Sequence, residues 1–181
     1  MPTYYQDGVR YTVDAARSEA RFHLNSIGVP LVHGTIPVTG GELIIDGTGG
    51  IRTANFQLDA MKLELGGPLP LGHTNSQGLF GTADHPVIEF ETQWAREGGV
   101  DHHELDGVLR LHGQEHVFSL RANRGDWEPV SDQSHWYRGV LRGGLNRRSW
   151  ELRSHTLADA GLLLLGHEVH FEITLVAGPR V

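Results

Sequence analysis

The chain has 181 residues, a formal net charge of -7 and no cysteine. This length fits one domain with a sizeable core, and we treat residues 1–181 as a single domain. The lack of cysteine excludes disulfides, zinc–thiolate sites and thiol catalysis, and the acidic charge argues against nucleic-acid binding. No apolar run is long enough for a membrane-spanning helix. Residues 1–20 lack an apolar signal-peptide core, which predicts a cytoplasmic protein, or a periplasmic or extracellular one if a leader has been removed.

Alternating apolar and polar residues predict about eight β-strands and almost no helix. In chain order the extended stretches are Tyr11–Asp14, Ser18–Asn25, Val32–Val38, Glu42–Asp46, Ile51–Leu65, Pro86–Arg96, Val108–His112, Val117–Arg121, Trp136–Leu145, Trp150–Arg153 and His167–Leu175. Thr39–Gly41 is interpreted as a turn or bulge, and Leu157–Leu165 as helix or loop. Gly66–His85 has no period, and we interpret this long loop as a cover over one end of the fold.

The stretch His102–Ala122 predicts a central antiparallel hairpin, with a short turn at Gly113–His116. About eight strands with one apolar face each, and almost no helix, leave two architectures for the whole chain, a sandwich or a barrel. Antiparallel barrels of about eight strands can hold one small ligand inside. The predicted inward set is Phe22, Leu24, Phe56, Leu58, Ile88, Phe90, Leu109, Leu111, Phe118, Leu120, Phe171 and Ile173. From the pattern alone, these side chains fit an ordinary filled core as well as a ligand cavity.

Five segments carry a resemblance to a known family. Ser18–Ile36 fits that family's first hairpin without a gap. The other segments are Asp59–Glu64 for D-A-x-S-I-D, Phe80 with His85–Phe90 for F…Y-P-x-I-x-F, Gly107–Gly113 for G-x-L-x-I-x-G, and Leu145–Arg147 for I-N-R. In this order, they resemble the YceI-like family of lipocalin-like, polyisoprenoid-binding barrels, from about Tyr11 to Val176.

The resemblance implies an antiparallel, lipocalin-like barrel with an apolar tunnel lined by the inward set. The implied function is non-catalytic binding of a long-chain amphiphile, such as an isoprenoid, an isoprenoid quinone or a fatty amide or acid. Carriage, storage and sensing remain open. The resemblance also implies a bacterial protein and a homodimer, with no cofactor other than a non-covalently bound lipid.

The chain departs from the family at two charged positions. Asn25–Ser26 replaces an Arg-His pair, and Pro70–Leu71 replaces an Arg-Asp pair. The remaining head-group candidates are His73, Asn146 and Arg147, and a less anionic ligand is expected than a pyrophosphate. For Asn146–Arg148 a structural turn with surface charges remains the alternative.

Twelve histidines raise the alternative of a haem- or metal-binding barrel with redox or enzymatic activity. The pairs His112/His116 and His167/His170 fall in strand regions, where the first flanks a turn and the second points to opposite faces. No HExxH, Ser elbow or phosphate loop is present. We therefore expect solvated or barrel-end histidines, no metal ligands and no catalytic residues.

Overall fold

The computed structural model describes residues 8–26, 29–66, 84–131, 134–146, 149–150 and 168–179. Within these residues the chain forms strands joined by turns, with two single-turn 3-10 helices at Ala15–Arg17 and Ala60–Lys62. The strands are β1 (Val9–Val13), β2 (Glu19–Ser26), β3 (Val29–Ile45), β4 (Ile51–Asp59), β5 (Glu64–Gly66), β6 (Val87–Glu97), β7 (His102–Leu111), β8 (Gln114–Asn123), β9 (Asp126–Ser131), β10 (Ser134–Asn146) and β11 (Glu168–Pro179).

Eight of these strands form a closed antiparallel ring. The order is β11-β2-β3-β4-β6-β7-β8-β10, and β10 pairs back to β11 over ten residue pairs. Outside the ring, β1 pairs with β11 and β3, β5 pairs with β3, and β9 pairs with β10. The predicted all-β, lipocalin-like antiparallel barrel is therefore confirmed. Among the described residues, no helix is both long and apolar enough to cross a membrane.

The bulge interpreted at Thr39–Gly41 is confirmed by a register shift, but two predicted strand boundaries were wrong. Val32–Val38 and Glu42–Asp46 belong to one strand, β3, whose register shifts between Val38 and Gly40. A Cβ at Gly41 would overlap the Asn55 carbonyl oxygen, so this glycine lets β3 bend closely against β4. The long stretch after Ile51 is broken because the Asp59 carboxylate accepts the Met61 N–H and caps a 3-10 turn there. β9 was not predicted.

The turn of the central hairpin is also shorter than predicted. It consists of His112 and Gly113, with φ angles of 55° and 70°. Positive φ at both central residues is typical of a two-residue hairpin turn that matches the strand twist. The predicted turn at Gly113–His116 is therefore wrong, and Gln114 and His116 lie in β8, opposite Leu111 and Leu109.

The inward-facing rows of the ring merge into one hydrophobic cluster. All twelve residues of the predicted inward set belong to it: eleven are buried, and Phe118 is partly buried and packs against the rest. Leu109, Leu111, Phe118 and Leu120 share one face, as the alternation predicts. Their role as ligand-lining residues stays a prediction.

Candidate functional site

The barrel has two ends of different character. One end, called the hairpin end here, carries the His112–Gly113 turn, the end of β10 at Asn146 and the start of β11 at Glu168. The opposite end, called the turn end, carries the β3–β4 turn at residues 46–50 and the β8–β9 turn at residues 124–125. An elongated ligand in the interior would extend from one of these ends toward the other.

Three inward phenylalanines lean sideways over glycines of the neighbouring strand. A Cβ at Gly34 would be 2.5 Å from the Phe22 ring, one at Gly107 would be 2.9 Å from Phe90 Cζ, and one at Gly143 would be 3.1 Å from Phe118 Cζ. Gly34 and Gly143 thus make room for side chains on the inner wall, whereas a Cβ at Gly107 would first meet the Glu91 carbonyl oxygen of β6. All three rings therefore pack closely against the backbone of the neighbouring strand.

A polar pair interrupts the apolar inner row of β8 at the hairpin end. Gln114 and His116 alternate with the exposed residues Glu115 and Val117, so they share the inward side with Phe118. His116 Nε2 lies 2.9 Å from Gln114 Oε1. Both residues are half-buried, and they mark the point on this strand where the interior changes from apolar to polar.

Trp150 packs against this pair from the other side. Its side chain is buried, and its ring centroid lies 4.1 Å from that of His116. The turn after β10 positions it, because Ser149 N–H donates to the Asn146 carbonyl at 3.1 Å. The indole therefore fixes the orientation of the His116 ring at the edge of the hydrophobic cluster.

The three predicted head-group candidates are not brought together among the described residues. His73 and Arg147 lie outside them, as do Pro70–Leu71 and most of the predicted covering loop. Asn146 is the last residue of β10 and is exposed at the hairpin end. These three assignments stay predictions.

Gln114, His116 and Trp150 were missed as candidates for a specific reason. Placing the turn at Gly113–His116 removed Gln114 and His116 from the strand. The same alternation that put Phe118 and Leu120 inward would have placed both of them inward, had the turn been limited to two residues. Trp150 had no signal of this kind, because its position depends on the turn after β10.

The turn end is closed by a buried polar cluster. The Tyr137 side chain is completely buried, and its hydroxyl donates to the Gly49 carbonyl at 2.7 Å and accepts the Gly125 N–H at 2.9 Å. Burial raises the pKa of Tyr137 to about 12. This hydroxyl joins the β3–β4 turn to the β8–β9 turn, so it holds the two turns together across the end of the barrel.

Asp46 organises the β3–β4 turn in the same cluster. Its carboxylate accepts hydrogen bonds from the Thr48 hydroxyl and N–H, the Gly50 N–H and Arg52 Nε. Burial alone would raise the pKa of Asp46, but these four donors outweigh it and lower the pKa to about 2. The carboxylate is therefore a structural ion that shapes the turn.

His103 is the inward histidine next to this turn. Only 7% of the residue is exposed, and a Cβ at Gly50 would be 2.9 Å from its Nδ1. Burial, followed by the charge of Arg52, lowers the pKa of His103, and the charge of Asp46 partly opposes this. The ring is packed against the turn, which fits the prediction of barrel-end histidines.

Other histidines lie on the outer surface. His23 and His170 face each other across β2 and β11, with stacked ring centroids 5.0 Å apart, and His33 follows opposite His23 on β3. His167 is outside the described residues. Within the part of the chain that the structure describes, no group of three or more His, Asp or Glu side chains is placed to hold a metal ion.

A cavity of about 800 Å³ lies mainly on the outer side of the sheet. Its lining includes Glu42, Asn55, Gln57 and Trp136, together with Phe56 of the predicted inward set. Asn55 and Gln57 flank the buried Phe56 on β4, so they face away from the core. Most of this cavity is therefore separate from the predicted tunnel.

Comparisons with known proteins agree on one family and one fold. A family model described as the YceI-like domain matches residues 11–177. BcnA of Burkholderia cenocepacia is similar in structure, with a TM-score of 0.64 at 17% identity, over 91% of this chain and 99% of that chain. A polyisoprenoid-binding domain from Saccharophagus degradans, implicated in plant cell wall breakdown, gives a TM-score of 0.60 at 16% identity, over 94% and 98% of the two chains.

A third similar structure is the YceI protein of Campylobacter jejuni, with a TM-score of 0.59 at 12% identity. It aligns over 87% of this chain and 85% of that chain. No curated protein sequence shows significant similarity to the chain.

Proposed function

The chain belongs to the YceI-like family, and we propose that it binds a long-chain lipophilic amphiphile inside its barrel without altering it chemically. The ligand is an isoprenoid, an isoprenoid quinone, or a fatty amide or acid. The protein carries, stores or senses this ligand. The proposal extends to this chain the ligand class named for the similar Saccharophagus degradans domain.

The arrangement of aromatic rings over glycines is the observation that carries this proposal. Phe22, Phe90 and Phe118 lie over Gly34, Gly107 and Gly143. An antiparallel barrel of eight strands is either filled by its side chains or holds one small ligand, and we take rings packed against the neighbouring strand to favour the second. Apolar walls supply affinity without any special group, because each methylene buried contributes about 0.8 kcal/mol.

The polar ends of the barrel support an amphiphile over a pure hydrocarbon. A ligand pocket is expected to be mostly apolar with a few polar groups that fix the orientation of the ligand. His73, Asn146 and Arg147 are the candidates that the sequence offers for that role at one end of the tunnel. The predicted homodimer and cellular location remain proposals that do not affect this argument.

In the alternative function, a haem- or metal-binding barrel, the histidines would serve as ligands of the haem iron or the metal ion. Members of the YceI-like, polyisoprenoid-binding family are generally binding proteins rather than enzymes. We therefore propose that the histidines of this chain serve structure and hydrogen bonding. A Soret band, or stoichiometric transition metal in the purified protein, would favour the alternative.

The direct test is organic extraction of the protein purified from a native host, followed by mass spectrometry. We expect one or a few long-chain amphiphiles close to one per chain. A surface-charge-matched protein purified in the same way controls for membrane lipid carried through the preparation. Extracts identical to that control, with no binding of added long-chain lipids by the stripped protein, would reject the proposed function.

A further inference from the structure

We propose that His116 and Gln114 hold the polar head of the bound lipid, and that this head is a neutral group that both donates and accepts hydrogen bonds, such as a primary carboxamide or a hydroxyl. This inference rests on the proposed function and adds the recognising residues and the chemistry of the head. It differs from the candidates that the sequence suggested, since neither residue was among them.

The position of the pair is the first argument. On β8 the inward row runs from Ala122 through Leu120 and Phe118 to His116 and Gln114, where it ends at the hairpin turn. An amphiphile whose chain lies against Phe118 and Leu120 thus meets hydrogen-bonding groups only on reaching this end of the strand. The distance from Phe118 to His116 is two residues, or about 7 Å along a strand.

The hydrogen-bonding capacity of the pair is the second argument. The Gln114 Oε1 atom can only accept, so in this orientation of the amide His116 Nε2 donates to it at 2.9 Å. In the neutral imidazole, Nδ1 is then an acceptor, and the Gln114 amide group still offers N–H donors. A head group with both a donor and an acceptor satisfies both residues at once, whereas a quinone oxygen can only accept.

The surrounding charge is the third argument. Arg110 is the nearest cation to the pair along β7 and β8, and it faces outward, where its guanidinium is held by Glu115 at 2.9 Å. Lys62, which follows β4 at the hairpin end, is 76% exposed. Arg142, further along β10, is on the outer surface and paired with Glu172 at 3.0 Å. A phosphate or carboxylate head would meet no inward cation from these residues, and burying an unpaired charge is costly.

Trp150 makes the pair a specific site rather than two mobile side chains. The indole lies against the His116 ring at 4.1 Å between centroids and is itself buried in the hydrophobic cluster. Because this contact and the bond to Gln114 fix the ring from two sides, the acceptor atom is positioned before the ligand arrives. Such preorganisation reduces the entropy lost on binding.

The test measures binding of three ligands with one C18 chain: oleamide, oleic acid as its anion, and 1-octadecene. The proteins are wild type, His116→Phe, which keeps a ring against Trp150, and Gln114→Leu. His135→Phe, at an exposed position of β10, is the matched control. We expect wild type and His135→Phe to prefer oleamide to octadecene by about tenfold, and each site variant to lose that preference while its affinity for octadecene is unchanged.

The outcomes distinguish a failure of the head-group assignment from a failure of lipid binding itself. If octadecene and oleamide bind wild type but both site variants keep the amide preference, or if oleate binds wild type more tightly than oleamide, the assignment of the head group is rejected and lipid binding stands. If none of the three ligands binds wild type, the proposed function fails and this inference fails with it. Near-ultraviolet circular dichroism shows whether each variant is folded. If His116→Phe does not fold, the binding measurements on Gln114→Leu alone decide the outcome.

Discussion

The ring of Phe118 on β8 lies over Gly143 on β10, where a Cβ would be 3.1 Å from Phe118 Cζ and 2.7 Å from Leu120 Cδ2. These contacts cross the pairing of β8 with β10, which covers only Leu141 with Ala122 and Arg142 with Arg121 in the described residues. Side chains therefore help to join the two strands where the backbone ladder is short. The same contact directs a large ring along the wall of the barrel.

Gly143→Ala is expected to weaken binding of a long-chain lipid by about threefold to tenfold. The added methyl group displaces the ends of Phe118 and Leu120, which have room to move only toward the interior. Overpacking costs about 1–3 kcal/mol, so thermal stability falls as well unless the rings relax into the cavity. Fluorescence displacement of a bound lipid probe and a thermal melt measure the two effects together.

Gly144→Ala is the matched control for this substitution. The next residue of β10 faces outward, and the nearest atoms to a Cβ there, His170 Nδ1 and the Val169 carbonyl oxygen, are 3.6 Å away, which is ordinary contact. Lipid affinity should equal that of wild type. Equal loss of affinity in Gly143→Ala and Gly144→Ala would show that the effect comes from strand conformation rather than from the cavity.

Leu111→Trp tests whether the interior near the hairpin end is open. Leu111 is the last residue of β7, is 2% exposed and lies opposite Gln114. In an open tunnel the indole fills the space meant for the lipid, so long-chain binding is lost at a stability cost of about 1–3 kcal/mol or less. A larger loss of stability, with the interior already filled in a high-resolution structure of the wild type, would contradict the tunnel.

The barrel itself could be predicted from the sequence because its signal is local. Alternation placed Phe22, Phe90 and Leu109 on the inner face without any knowledge of their partners, since successive side chains of a strand point to opposite faces. The hairpin turn was misplaced by a residue or more because glycine at 113 marks a turn but does not set its length. Because the turn was predicted too long, His116 was assigned to the turn and was not recognised as an inward-facing strand residue.

Other parts of the site depend on contacts that alternation does not encode. The packing of Phe118 over Gly143 requires the pairing of β8 with β10, which are separated by β9 along the chain. The continuity of β3 through Gly40 and Gly41 depends on its close approach to β4. Nothing in the sequence singled out Tyr137, and only the arrangement of two turns around its hydroxyl shows what it holds together.

Tyr137→Phe is expected to lower the free energy of unfolding by about 1–3 kcal/mol, the cost of losing buried hydrogen bonds. The substitution removes the donor to the Gly49 carbonyl and the acceptor for the Gly125 N–H. Chemical denaturation measures the loss. Lipid affinity should stay unchanged, because the hydroxyl lies at the turn end; a parallel loss of affinity would show that the turn end also takes part in binding.

Asp46 makes stability depend on pH in the acid range. Its folded-state pKa of about 2 is below the ordinary value of 3.8, so its contribution is complete above pH 4 and is lost as the pH falls from about 4 to 2. Since Arg52, one of the four donors, is 36% exposed and therefore screened by water, we expect this contribution to be about 1–2 kcal/mol. Asp46→Asn should lose that amount at pH 7 and flatten the acid limb of the stability profile. If the acid limb of the profile is unchanged in Asp46→Asn, the loss of stability at acid pH comes from other carboxylates.

The stacked pair of His23 and His170 provides a test at milder pH. Burial, followed by the charge of His170, lowers the pKa of His23, while Glu172 acts in the opposite direction. Because the folded-state pKa of His23 is below the unfolded value of 6.5, His23 favours the folded state fully above pH 6.5 and progressively less below it.

In His170→Gln the like charge is removed and the partial burial remains, so the pKa of His23 should rise toward 6.5 without exceeding it. An NMR titration of the His23 ring measures this directly, with His135→Gln as the control for a distant exposed histidine. If His23 titrates at the same pH in wild type and His170→Gln, the two rings are in contact without electrostatic coupling, and burial is the cause that lowers the pKa of His23.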